Sequence, residues 1–172
     1  VVPQILEALV LAREEGLSVP LVYNSGGYDS AEALLLLDGI IDIYMPDAKY
    51  GQDGPAQKYS AAPGYTTVNK AALKEMHRQV GDLQLDEEGI ALRGLLVRHL
   101  VLPADAAGTE EVVRFISQEI SVHTYLNVMA QYHPEYQACR YPELSRAITA
   151  REFAQALHLA EKAGLVRGLA ML

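Results

Sequence analysis

Three features of the chain predict an α/β fold built on parallel strands. Short runs rich in β-branched, aliphatic and tyrosine residues recur at Val19–Tyr23, Ile40–Met45, Leu95–Leu102 and Thr124–Met129. Helical patterns lie between them, as expected for parallel strands joined by crossover helices. Each run ends in a polar loop: Asn24–Gly27, Asp47–Lys49, Pro103–Gly108 and Gln131–His133. Sheets of this kind bind ligands at the carboxyl ends of their strands. Those ends are where this sequence places its glycines, amides and a lysine.

The 172 residues suit one domain with a sizeable core, and half of them are hydrophobic. A net charge of −8 argues against a nucleic-acid partner. No apolar run approaches the length of a membrane span, and no signal peptide is visible, so the expected compartment is the cytoplasm. The single cysteine, Cys139, makes no internal disulfide and by itself holds neither zinc nor an iron–sulfur cluster. It reads as an incidental loop thiol.

The chain opens on a helix, with Pro3 in its first turn and Ile5, Leu6, Leu9 and Val10 at helical spacing before Gly16. A start of that kind reads as a cut inside a repeating βα series, and hence as a piece of a longer protein. After the first strand, Asp29 with Glu32 suggests a capping box for a helix over Ala31–Leu37. The second strand leads into a loop rich in Gly, Pro and Asp, then a short helix around Ala56–Ser60. A long amphipathic helix over Thr67–Val80 follows, with Val68, Ala71, Ala72, Leu73, Met76 and Val80 as its buried side.

Leu83–Leu85 and Ile90–Leu92 flank Asp86–Gly89 as a small hairpin, whose second arm runs on into the third core strand. Thr109 is placed to cap a helix over Glu110–Glu119. Beyond the fourth strand, Gln131–Ala147 is irregular and crowded with tyrosine and proline. Thr149 and Glu152 form a capping box for a last helix that runs to Ala163.

YNSGGYD, DIYMPDAKY, GLLVRHLVLP with AGTEEVVRFI, and YLNVMAQYHP, in that order and spacing, resemble the carboxyl part of radical SAM proteins, in the branch of pyruvate formate-lyase activating-enzyme-like proteins. The resemblance spans nearly the whole chain and rests on four separate strand ends. It implies a partial TIM-type barrel of six βα units, of which this chain supplies the last four with a hairpin insertion. The CxxxCxxC loop for a [4Fe-4S] cluster and the Gly-Gly-Glu strand of the family, which belong to the first two units, are absent from this sequence.

On this resemblance Asn24, Ser25 and Gly26 face the ribose and methionine part of S-adenosylmethionine (SAM). Asp47 and Lys49 match an Asp-x-Lys whose lysine lies near the methionine carboxylate. Arg98 and His99 sit on a strand beside the cofactor, and Gln131, Tyr132 and His133 near adenine or substrate. Ala104 departs from the pattern, since relatives usually carry glycine after that proline.

The residues also have plainer readings. Lys49 reads equally as a solvated charge, and Asn24–Gly27 as a tight turn. Arg98 and His99 must face opposite sides of their strand, so at most one points inward. His99 in an apolar strand reads first as a hydrogen-bonded core histidine, and the tyrosines after Gln131 as a cover over an open barrel end. His77, His123 and His158 read as solvated.

Two functions follow as expectations. In the first, the parent protein cleaves SAM reductively to a 5′-deoxyadenosyl radical for hydrogen abstraction, with a glycyl-radical enzyme or another protein substrate as the expected partner. This chain alone, lacking the cluster cysteines, is then inactive and holds no cofactor. In the second, it is a non-catalytic half-barrel that binds a partner protein or a nucleotide-like ligand. In either case Val19–Tyr23, guarded only by Pro20, is an open sheet edge that favours self-association.

Overall fold

The computed structural model describes residues 2–169. Six α-helices are found there: α1 (Val2–Glu14), α2 (Ala31–Leu35), α3 (Asp53–Ser60), α4 (Tyr65–Val80), α5 (Thr109–Phe115) and α6 (Ala150–Lys162). The strands are β1 (Val22–Ser25), β2 (Ile43–Pro46), β3 (Gln84–Leu85), β4 (Ala91–Leu100) and β5 (Tyr125–Met129). β1, β2, β4 and β5 pair in that order, all parallel, and β3 lies antiparallel on the first half of β4. The protein is therefore a mixed α/β fold on a parallel sheet, with the small hairpin at Asp86–Gly89.

Side-chain alternation divides the sheet into two unlike faces. Tyr44, Leu95, Val97, Leu126 and Val128 are buried in one cluster with Leu34, Leu73, Met76, Val112, Leu157 and Ala160 from the helices. On the opposite face Met45, Leu96, Arg98, Asn127 and Met129 stay partly open. A second cluster gathers Tyr50, Ala56, Tyr65, Leu102, Ala107 and Leu144 at the carboxyl ends of the strands.

Several boundaries differ from the sequence reading. The first strand is Val22–Ser25 rather than Val19–Tyr23. Pro20 has no N–H to give a ladder, while Ser25 still pairs, its carbonyl accepting from Asp47 N at 3.1 Å. The second strand begins at Ile43, because Ile40 and Ile41 close turns on Leu37. α2 is capped by the Ser30 side chain, which accepts from Ala33 N, rather than by Asp29. Asp29 instead accepts from Ser25 Oγ and the Tyr23 hydroxyl. Thr109 is not a cap either, since Gly108 precedes α5 in a left-handed conformation. α5 passes into a π-helical turn at Ile116–Ile120. Thr149 and Glu152 do form the capping box of α6.

The two sides of the sheet end differently. Among the described residues β1 has no strand partner on its outer side, and Val22 is 51% exposed. Beside β5 the chain returns after α6, and Arg167 O accepts from Leu126 N at 3.0 Å. Among the described residues, no helix is long and apolar enough to cross a membrane.

Candidate functional site

The carboxyl ends of β1, β2 and β4 bring together part of the residue set marked in the sequence. Asp47 follows β2 directly and bridges beside Arg98 of β4. One of its carboxylate oxygens lies 2.6 Å from an Arg98 guanidinium nitrogen, and the other lies 3.4 Å from Lys49 Nζ. A Cβ built on Gly26 would stand 4.0 Å from that same ammonium, so the β1 loop lies next to Lys49. Asn24 is exposed and paired in register with Met45 on the open face, and Asn127 of β5 stands beside Arg98.

The site is charged and incompletely satisfied. Despite their 2.6 Å approach, Asp47 and Arg98 are poorly aligned for hydrogen bonding, and the buried Asp47 Oδ1 and Arg98 Nε have no hydrogen-bond partner. Buried polar atoms left unpaired cost stability and are uncommon. The Lys49 side chain is 47% exposed and reaches no other anion among the described residues.

Helix α4 builds the frame. Asn69, 4% exposed, donates from Nδ2 to Gly27 O at 2.8 Å and to Asp47 O at 2.9 Å, which ties the β1 and β2 loops together. Gly27 has φ +70°, and any Cβ there would meet Asp47 O at 2.1 Å, so glycine is required. One turn earlier, the Tyr65 hydroxyl accepts from Lys49 N at 2.8 Å, and its ring stacks on Tyr28. Neither Asn69 nor Tyr65 was singled out from the sequence. The available signal was a polar residue inside an apolar stripe, Tyr65–Asn69–Ala72–Met76, at helical spacing.

Two of the expected residues turn away from this site. Ser25 turns toward the helix side, donating to Asp29 Oδ2 at 2.7 Å while its Oγ accepts from Gly27 N. His99 faces away from Arg98 and is fully buried. Its Nδ1 lies 2.7 Å from Ala48 O, so Nδ1 carries the proton, and Nε2, at 3.0 Å from Thr109 Oγ1, accepts from that hydroxyl. Burial lowers its pKa from the ordinary histidine value, against the opposing pull of the Ala48 carbonyl and Asp105. The expectation that His99 touches a cofactor is thereby corrected: it is a core histidine that fastens β4 to the β2 loop and to α5. Gln131 and His133 are exposed, and Gln131 Nε2 lies 3.3 Å from Met129 Sδ.

The loop after β4 holds the alanine at position 104 in a conformation that glycine would adopt more readily. Ala104 and Asp105 have φ of 55° and 52°, a region that favours glycine. Ala104 N is held there by Glu152 Oε1 at 2.8 Å. The tyrosine segment folds onto α3, with the Tyr141 hydroxyl donating to Lys58 O and the Tyr132 hydroxyl to Leu144 O, both at 2.8 Å. It covers this end of the sheet, as the simpler reading had it.

No family model matches the chain, and no solved structure matches it. The chain is similar to the uncharacterized protein MJ0674 of Methanocaldococcus jannaschii, at 32% identity over 164 residues. That alignment covers 95% of this chain but 44% of the relative, so the chain spans less than half the length of the protein it matches.

Proposed function

We propose that this chain is the carboxyl part of a radical SAM enzyme of the pyruvate formate-lyase activating-enzyme type, four βα units of a partial TIM-type barrel, whose open sheet face holds SAM. The observation that carries this reading is the Asp47–Lys49–Arg98 group. It lies at the carboxyl ends of parallel strands, on the face the helices leave open, with polar atoms in want of partners. Lys49 would pair with the methionine carboxylate, Arg98 Nε would donate to a polar atom of the ligand, and Asn24 would offer an amide from β1. Asp47 holds both cations in place.

SAM bound here supplies, on reduction, the radical used for hydrogen abstraction. The residues present do not fit an iron–sulfur cluster. Cys139 is exposed and remote from the site in sequence, and no group of three metal-ligating side chains occurs among the described residues. Any cluster that the reaction needs is held by residues other than these 172. The role of this chain is then to bind and orient.

Calorimetric titration of SAM into the protein together with the barrel units that complete it tests the reading. Lys49→Ala should weaken SAM binding by about 1–3 kcal/mol, the range for a charge-assisted hydrogen bond. Unchanged affinity with the fold intact returns Lys49 to the solvated surface. Retained SAM binding without cleavage under reducing conditions favours the non-catalytic module instead.

A further inference from the structure

A cleft of about 550 Å³ opens between α3 and the segment after β5, and none of Asp47, Lys49 and Arg98 lines it. Tyr50, Tyr59, Tyr132, Tyr136 and Tyr141 line it. Four of the five spend their hydroxyls elsewhere. Tyr50 pairs with Ser60 Oγ, Tyr59 donates to Glu143, Tyr132 to Leu144 O and Tyr141 to Lys58 O. Hydroxyls fixed in this way leave the ring faces as the groups on offer.

Two of those rings already hold a cation. Lys58 Nζ lies 4.9 Å from the Tyr59 centroid and 5.6 Å from that of Tyr141, and the rings meet edge to face at 5.1 Å. Glu143 closes the group, accepting from Lys58 Nζ and from the Tyr59 hydroxyl. At the rim, Tyr136 is 91% exposed on a backbone with φ +51°, a conformation that costs a tyrosine energy.

We propose that this cleft binds an alkylated ammonium head group, and that Lys58 is the chain's own stand-in for that ligand. The charge balance sets the sign. The charged residues lining the cleft are Lys58, which is paired with Glu143, and Glu135, so among the lining residues an anion meets no unpaired cation. Ring faces attract cations through their quadrupole, most strongly when the cation is weakly hydrated. A quaternary ammonium, alkylated at all four positions, donates no N–H hydrogen bond, so ring faces and a carboxylate are what its charge needs. The lysine stem is tethered to α3 and leaves most of the volume to a larger occupant.

Choline tests this, with 3,3-dimethylbutan-1-ol as its uncharged isostere, titrated into the protein and followed by the tyrosine ring resonances. Choline should bind at least about tenfold more tightly than the alcohol, because only the cation gains from the ring faces. Lys58→Ala empties the place and bares Glu143, so it should tighten choline binding by about tenfold. Tyr141→Leu in that background should abolish it. N-acetyl-trimethyllysine amide binding more tightly than choline would assign the head group to a protein side chain, and the reverse order to a free metabolite. Equal binding of choline and the alcohol overturns the proposal. So does a Lys58→Ala protein that keeps its spectrum and binds choline no better. None of these readouts depends on SAM.

Discussion

Replacing Asn69 by alanine removes one side chain that serves two strand ends. Its Nδ2 satisfies Gly27 O in a buried bond and Asp47 O in a half-buried one. A buried acceptor left without a donor costs about 1–3 kcal/mol. The vacated volume is polar and admits a water, which places the loss for the two acceptors together at about 2–4 kcal/mol. For a domain of this length that corresponds to a fall in Tm of roughly 4–16 °C. Asn69→Asp should be at least as damaging at neutral pH, since a carboxylate facing two carbonyl oxygens has no proton to donate. Urea unfolding followed by circular dichroism, with an unchanged denaturant slope, gives the free-energy difference. If both variants unfold within about 0.5 kcal/mol of the parent, the clamp does not hold the loops together.

His99 predicts a dependence on pH. Its folded pKa is lowered by burial, so below the ordinary value of about 6.5 the unfolded chain takes up a proton that the folded chain refuses. Stability from this group is complete above that value and falls as pH drops through it, with a slope approaching about 1.4 kcal/mol per pH unit. Denaturant melts at descending pH check this, and His99→Gln should flatten the slope; an unaltered slope would assign it to other groups. β1 predicts association: light scattering should show the chain self-associating, and Val22→Lys on the open edge should reduce it. A chain that stays monomeric at high concentration would show that the edge is harmless.

Much of this architecture was legible because strand alternation and helix periodicity are local signals. The four parallel strands, the Asp86–Gly89 hairpin and the Thr149 capping box all came from residues a few positions apart. The opposed orientation of Arg98 and His99 needed only the pleat. What was not legible depends on distance along the chain. Asn69 reaches back 42 residues to Gly27 and 22 to Asp47, and no periodicity encodes such a contact. The same holds for Thr109, which has the chemistry of a cap but is spent on the His99 ring. The start of β1 was misplaced because Val19 is apolar yet 64% exposed, while the polar Asn24 and Ser25 continue the ladder. At the site, the grouping of Asp47 with Lys49 could be read in sequence, whereas Arg98 joins them only through the register of β2 against β4.

Among the described residues β4 pairs with β2, β3 and β5, whereas β1 and β5 each have a single strand partner. Removing β4 therefore means detaching it from several neighbours at once and exposing Leu95 and Val97, which are fully buried, whereas β1 can leave β2 without disturbing either. Amides of this strand should exchange with solvent only through global unfolding, while those of β1 exchange through local fraying. Arg98, rooted in the slowest-exchanging strand, thus holds a fixed position against which the β1 and β2 loops can breathe.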